Sequence, residues 1–350
     1  MHSLELNKNA SNRGSGRPTP DGRARGHAVT AETLESVTAL WRGGAGSLTW
    51  DCMFVLPPWL AAWWHAFGAG LTPALWAVRH EGQVVGLAPF VIEGEQARFM
   101  GSSDVCDFLD CVVAPGKARE VFVTLIAHLK QQGVVSLDLG PVRDDSMVLT
   151  QLSAAAGELG WDCSCREEDV TLELELPDTW DGFLSSLSGK ERHELRRKFR
   201  RLQEVATVSV QVVEDQSAVR EGMETFLKIF AMNRPDKAAF MTERMASFFR
   251  SLAEAMAEQG FLRLFFLELD REPAAVVMCF DYNSTVYLYN NGYNSAFRGL
   301  SVGLLSKLVT IRDSIDRGLR RYDFLKGSEP YKRRLGGRPV RLHRCRVRLR

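Results

Sequence analysis

One order of elements occurs twice along this 350-residue chain, and no other feature narrows its fold as far. In the first occurrence, β-rich runs at 75–79 and 84–92 flank the turn His80-Glu-Gly-Gln83, which predicts a hairpin. Residues 107–113 predict a further strand. Val121, Leu125, Ile126 and Leu129 then recur at helical spacing within 116–132, Gly133 stops that helix, and 134–139 returns to strand. The second occurrence places a hairpin at 261–269 and 274–280 around Asp270-Arg-Glu-Pro273, and a third strand at 284–289. An amphipathic helix follows at 300–317, with Leu304, Leu305, Leu308 and Ile311 on one side and Gly318 as its stop, then a strand at 320–325. Two copies of one α/β unit, each with a mixed sheet, are expected, and a chain of this length fits two domains of roughly 100–200 residues.

The rest of the chain frames these copies. A helix over 31–41 and another opened by Pro57-Pro58 and running to Phe67 precede the first hairpin. Between the copies lie an alternating strand at 170–176, a helical stretch from 178, a strand at 208–212, and helices over 217–231 and 242–259. Residues 1–28 are polar and read as a disordered tail, so the expected layout is that tail, an N-terminal domain over 29–165 and a C-terminal domain over 166–350. The net charge of +1 excludes a chain organised wholly around nucleic acid or an anionic membrane. Lys332 to Arg350 holds nine Lys and Arg and no acid, yet 340–349 alternates like a final strand with a basic outer face, so nucleic acid is the lesser reading. Seven cysteines without CxxC spacing argue against structural zinc and against a disulfide framework, and for a reducing cytoplasm. The apolar stretch 52–64 is broken by its prolines and too short for a membrane span.

Three motifs in the second half carry a family resemblance. They are Phe183-Leu-Ser-Ser-Leu-Ser-Gly-Lys-Glu-Arg-His-Glu-Leu-Arg-Arg-Lys-Phe-Arg-Arg-Leu202; Tyr287-Leu-Tyr-Asn-Asn-Gly-Tyr293 with Ser301-Val-Gly303; and Tyr322-Asp-Phe-Leu-Lys-Gly-Ser-Glu-Pro-Tyr-Lys332. In order and spacing they resemble the CelD/BcsL-like branch of the GNAT acyltransferase superfamily, related to the FemAB peptidyltransferases with their paired GNAT-like domains. The resemblance implies tandem GNAT-like N-acyltransferase domains, acyl-CoA (acetyl-CoA first) as co-substrate in a splayed sheet, no metal, and direct attack by an amine or hydroxyl of a small-molecule or glycan acceptor. It also leaves open an aminoacyl-tRNA donor, as in the FemAB group, or a non-catalytic adaptor in an envelope-polysaccharide machine.

The expected cleft lies between Tyr287–Asn290 and Arg320–Leu325. A backbone N–H near Tyr289 or Asn290 is the expected oxyanion donor. Arg298, Gly299, Ser301, Val302, Gly303 and Leu304 form a short, small-residue approach to a helix start, whose free N–H groups suit a diphosphate. Ser301 stands where the wider group has a glycine. Asp323 and Glu329 are candidate bases, Tyr331 or Tyr293 candidate proton donors to the departing sulfur, and Lys326 and Lys332 candidate anion-binding groups. Ser188-Gly-Lys-Glu191 matches a capping box opening a basic helix, on which Arg192 and Arg196, one turn apart, are the candidate substrate contacts.

Overall fold

A computed structural model describes residues 26–44 and 48–349. The predicted tail lies almost wholly outside the described residues. Its last three positions do not, and His27 and Ala28 belong to a strand that periodicity missed: the first half runs β1 (His27–Ala31), α1 (Leu34–Arg42), α2 (Pro57–Phe67), β2 (Thr72–His80), β3 (Gln83–Glu93), β4 (Gln96–Phe99), β5 (Val112–Val113), α3 (Ala118–Gln131), β6 (Ser136–Arg143), α4 (Met147–Glu158) and β7 (Asp162–Glu175). The second half runs α5 (Trp180–Ser186), α6 (Gly189–Val205), β8 (Val208–Val213), α7 (Gln216–Asn233), α8 (Pro235–Phe240), α9 (Glu243–Glu258), β9 (Leu262–Leu269), β10 (Glu272–Tyr282), β11 (Thr285–Tyr293), α10 (Val302–Asp316), β12 (Arg321–Lys326), α11 (Pro330–Arg334) and β13 (Arg338–Arg348).

All of these strands join one mixed sheet, ordered β1-β2-β3-β4-β6-β13-β7-β12-β11-β10-β9-β8, with β5 paired to β3. Each copy contributes a hairpin, a third strand and a helix that returns the chain to a parallel fourth strand, β4 with β6 and β11 with β12. The copies meet by exchanging their last strands: β13 lies between β6 and β7, while β7 pairs with β12. The sequence boundary at 165/166 falls inside β7, which is registered against the second copy. Strands of the second copy are buried on both faces. Leu262, Leu264 and Phe266 of β9 join one apolar cluster with α7 and α9, while Phe265, Leu267 and Leu269 join another with α5, α6 and α10.

Three readings of the sequence change here. The helix expected over 31–41 begins at Leu34, where Thr33 accepts from Ser36 N at 3.2 Å as its cap. The strand expected over 107–113 survives only as Val112–Val113, because the rest folds into the interior as a loop. The cysteines are not all free thiols: Cys165 of β7 and Cys345 of β13 are joined by a disulfide across the exchanged strands. The basic C-terminal strand is largely neutralised by its neighbours, with Arg344 on Glu168 and Asp138, Arg346 on Asp138 and Arg341 on Glu167. Among the described residues, no helix is long and apolar enough to cross a membrane.

Candidate active site

The site begins where two parallel strands part. β11 and β12 are in register at three positions only, ending at Tyr287 opposite Asp323. Beyond that, β11 carries a bulge: Cys279 faces Leu288 but Met278 faces Asn290, leaving Tyr289 as the extra residue. A bulge bends its strand and re-aims side chains, which opens the gap toward β12. α7 presses on β11 just past the bulge, where a Cβ on Gly292 would lie 2.7 Å from the Phe230 Cα, so the residue there has to be glycine. The resulting groove, ≈ 450 Å³, lies within the range of small-ligand sites. Its far wall comes from the other copy. Tyr289 Oη donates to Val105 O at 3.0 Å, Lys326 Nζ donates to Ser103 O at 2.8 Å, and Asp104 and Asp107 face the same space.

The second compartment, ≈ 520 Å³, continues the first and shares Lys237, Asn291, Glu329 and Tyr331 with it. It ends on the start of α10. Ser301 is left-handed (φ 59°, ψ 26°), which turns the chain into the helix, and the first full helical bond is Leu305 N to Ser301 O at 3.1 Å. The N–H groups of Val302 and Gly303 precede that bond, and both residues line the groove, as an anion-binding helix start requires. Gly303 is held to a small residue by the Tyr293 ring, 2.9 Å from where a Cβ would stand. Cations gather around this end. Lys198 of α6 donates to Ser301 Oγ at 2.7 Å, and Arg234, Lys237, Arg298 and Lys307 line the same compartment, whose acidic residue is Glu329.

The sequence candidates divide accordingly. Tyr289, Asn290, Lys326, Glu329, Tyr331 and Lys332 line the first compartment; Tyr293, Arg298, Ser301, Val302, Gly303 and Leu304 line the second; Gly299 lies exposed beside it. Four candidates stand elsewhere or are already committed. Asp323 is fully buried beneath the splay, not in it, accepting from Thr171 Oγ1 at 2.7 Å and Leu325 N at 2.8 Å; burial and the nearby Glu173 push its carboxyl up. Lys332 is spent on the carbonyls of Leu325, Lys326 and Gly327 and on Glu329, so it shapes the loop after β12. Arg192 caps the end of α5 through the carbonyls of Leu184, Ser185 and Leu187, and Arg196 is exposed on the outer face of α6. The helix residue that reaches the groove is Lys198, on the flank of the apolar stripe formed by Leu195, Phe199 and Leu202.

Electrostatics sort the remaining groups. Burial would raise Glu329, but its bond to Lys332 and the charge there bring its carboxyl below the ordinary value, so it is ionised at neutral pH. Burial and then Glu329 push the Tyr331 hydroxyl up, which keeps it protonated. Asp107 was not read from the sequence, because it reaches the groove from the other copy. Burial pushes its carboxyl up to about 6 against the lowering charges of Lys326 and Lys332, a value suited to a proton acceptor near neutral pH. Lys307 did have a signal: it stands one helical turn after Gly303, on the same face of α10. A larger cleft, ≈ 620 Å³, lies between the copies on the other side of loop 101–111, but the helix start there, that of α4, is already capped by Asp110 through Met147 N at 2.9 Å and Val148 N at 3.3 Å.

Comparisons with known proteins agree with this geometry. Residues 189–333, most of the second copy, match the family model described as an acetyltransferase (GNAT) domain. Similar solved structures span nearly the whole chain: FemX, with a TM-score of 0.62 at 14% identity over 91% of this chain and 96% of that one. A conserved protein of unknown function from Bacteroides thetaiotaomicron gives 0.56 at 11% identity, over 91% and 99%. L-PGS from Bacillus licheniformis gives 0.54 at 11% identity, over 90% and 90%. Among curated proteins, no sequence matches. At these identities the likeness speaks for the fold alone, two α/β copies joined in one mixed sheet.

Proposed function

We propose that the chain is an acyltransferase whose second copy moves an acyl group from acyl-CoA to an amine or hydroxyl. The observation that carries this is the continuity of one groove from a bulged, splayed strand to an open, cation-ringed helix start. The diphosphate sits on the N–H groups of Val302 and Gly303 with Lys198 and Arg298. The acyl thioester lies in the splay beside Tyr289 and Asn290, where a backbone N–H past the bulge stabilises the oxyanion. Asp107 takes the proton from the acceptor as its nitrogen or oxygen attacks the carbonyl carbon. The tetrahedral intermediate then collapses, the C–S bond breaks, and Tyr331 protonates the departing thiolate. Acceptor side chains approach past Asp104, an acidic wall that favours an amine. The CelD/BcsL-like resemblance makes a small-molecule or glycan acceptor in polysaccharide or envelope synthesis, worked on in the cytoplasm, the reading of its role. The test is release of free CoA thiol from acetyl-CoA with a panel of amines and amino sugars. No release with any acceptor, and no protection of the chain against heat by acetyl-CoA, would count against it.

One observation favours a second reading, transfer from an aminoacyl-tRNA. The Lys237 ammonium occupies the Asn291 carbonyl on the free edge of β11, where a pantetheine amide would pair, and so brings positive charge nearer the reacting carbonyl than a CoA diphosphate lies. Acyl transfer from a charged tRNA minihelix without turnover of acetyl-CoA would select this reading.

A further inference from the structure

Two lysines from different helices converge on one residue at the junction of the two compartments. Lys237 of α8 donates to the Asn291 carbonyl, and Lys307 of α10 donates to the Asn291 side-chain oxygen at 3.0 Å and to Gly303 O at 2.7 Å. Lys307 is 6% exposed and lies 5.0 Å from the Tyr331 ring centroid; Lys237 lies 4.5 Å from that of Phe230. Ammonium groups on two oxygens of one residue repel each other, and the burial of Lys307 weakens the screening between them. The acid at this junction is Glu329, and it is tied to Lys332 at 2.9 Å. At the start of α8, Arg234 and Asp236 are ion-paired at 2.6 Å.

The consequence is positive charge that Asp236 and Glu329 offset only in part. Burial, then the charge of Arg234, lowers Lys237 to about 8; burial, then the charge of Lys237, lowers Lys307 to about 7. A buried pair of like charges either gives up a proton or is joined by an anion. The diphosphate is held at the start of α10, a turn away from Lys307, and a pantetheine arm carries no charge. The missing group is therefore small, and at neutral pH the pair holds charge enough for a monoanion.

We propose that Lys237 and Lys307 together seat a carboxylate carried by one of the two substrates, on the acyl group or on the acceptor. This rests on the acyl-transfer reading above. Each ammonium takes one carboxylate oxygen as a charge-assisted bond. Doing so frees both Asn291 oxygens, and the carbonyl then becomes available on the edge of β11 for a substrate amide. The substrates this selects are dicarboxylic acyl groups on the donor side, or amino acids and their peptides on the acceptor side.

The experiment is calorimetric titration of the full chain at neutral pH with two matched pairs, succinyl-CoA against acetyl-CoA and glycine against glycinamide, repeated with Lys237→Met and Lys307→Met. In at least one pair the carboxylate member is expected to bind about tenfold tighter or more, as a charge-assisted bond warrants, and both variants are expected to lose that preference. The pair that shows it names the substrate that carries the carboxylate. Circular dichroism of both variants reports that they are folded, and the member of each pair without the carboxylate is expected to lose far less affinity in the variants than the carboxylate member does. If neither CoA ester binds the wild type while glycine still outbinds glycinamide, the acyl-CoA reading falls and the carboxylate seat stands. Equal affinities within both pairs in the wild type would overturn the proposal, whatever the variants do.

Discussion

The two copies splay in the same place and put the gap to different uses. β4 with β6 and β11 with β12 each keep three registered positions and then part. In the first copy the gap is closed by its own chain: loop 101–111 turns inward, Leu109 N donates to Pro141 O at 2.8 Å, and Phe108 and Leu109 are buried. In the second copy the connection from β11 to α10 is short and rich in small and polar residues, so the gap stays open and polar. The loop that plugs the first copy also walls the second, through Val105 on Tyr289 and Ser103 on Lys326. Of the two splays the second stays open, and its groove is built from both copies.

The largest effect follows from that shared wall. Asp107→Asn, a change in the plugged copy, is expected to lower kcat by about 10²–10⁴-fold, as for a lost general base, with the affinity for acetyl-CoA unchanged; steady-state kinetics beside a binding titration read both. If Asp107→Asn is silent, the two copies do not share a site. Next comes the plug itself. Leu109→Ala removes a side chain that is 1% exposed and is expected to cost roughly 2–5 kcal/mol in a denaturant titration; a much smaller loss would mean that the first splay can close without it.

How much of this difference could be read in advance depends on how far each interaction reaches along the chain. Both hairpins, α10 and the strand after it are written in local periodicity and turn residues, and they fall within a few residues of expectation. The Ser301 to Leu304 approach was legible for the same reason, since the small residues and the helix start are neighbours. Residues 107–113 are apolar enough to pass for a strand, and only the gap they fill explains why they form a plug. α8 is too short for a period and follows Pro235. Along α6, a basic side chain that caps α5 (Arg192), one in solvent (Arg196) and one bonded to Ser301 (Lys198) look alike until the neighbouring elements are in place.

Smaller effects sharpen the contrast at the open end. Lys198→Ala removes the bond to Ser301 and one cation from the phosphate end, and about a tenfold weaker affinity for acetyl-CoA is expected, with kcat preserved. The smallest effect is one of pH. Lys307 titrates near about 7 when folded against 10.5 for an ordinary lysine, so between those values the unfolded chain binds more protons and stability rises with pH. Lys307→Met lacks that slope. Its melting temperature relative to wild type is expected to be highest near neutral pH and to fall steadily as pH rises toward that of free lysine; a constant difference would mean that Lys307 is not depressed.

The stoichiometry of acetyl-CoA binding, measured by calorimetry on wild type and on Gly303→Asp, tests the division of labour most directly. One site per chain is expected, lost when a carboxylate is placed at the start of α10 while the fold, followed by circular dichroism, is kept. Two sites per chain, or one site indifferent to Gly303→Asp, would contradict the assignment of the donor to the open splay of the second copy.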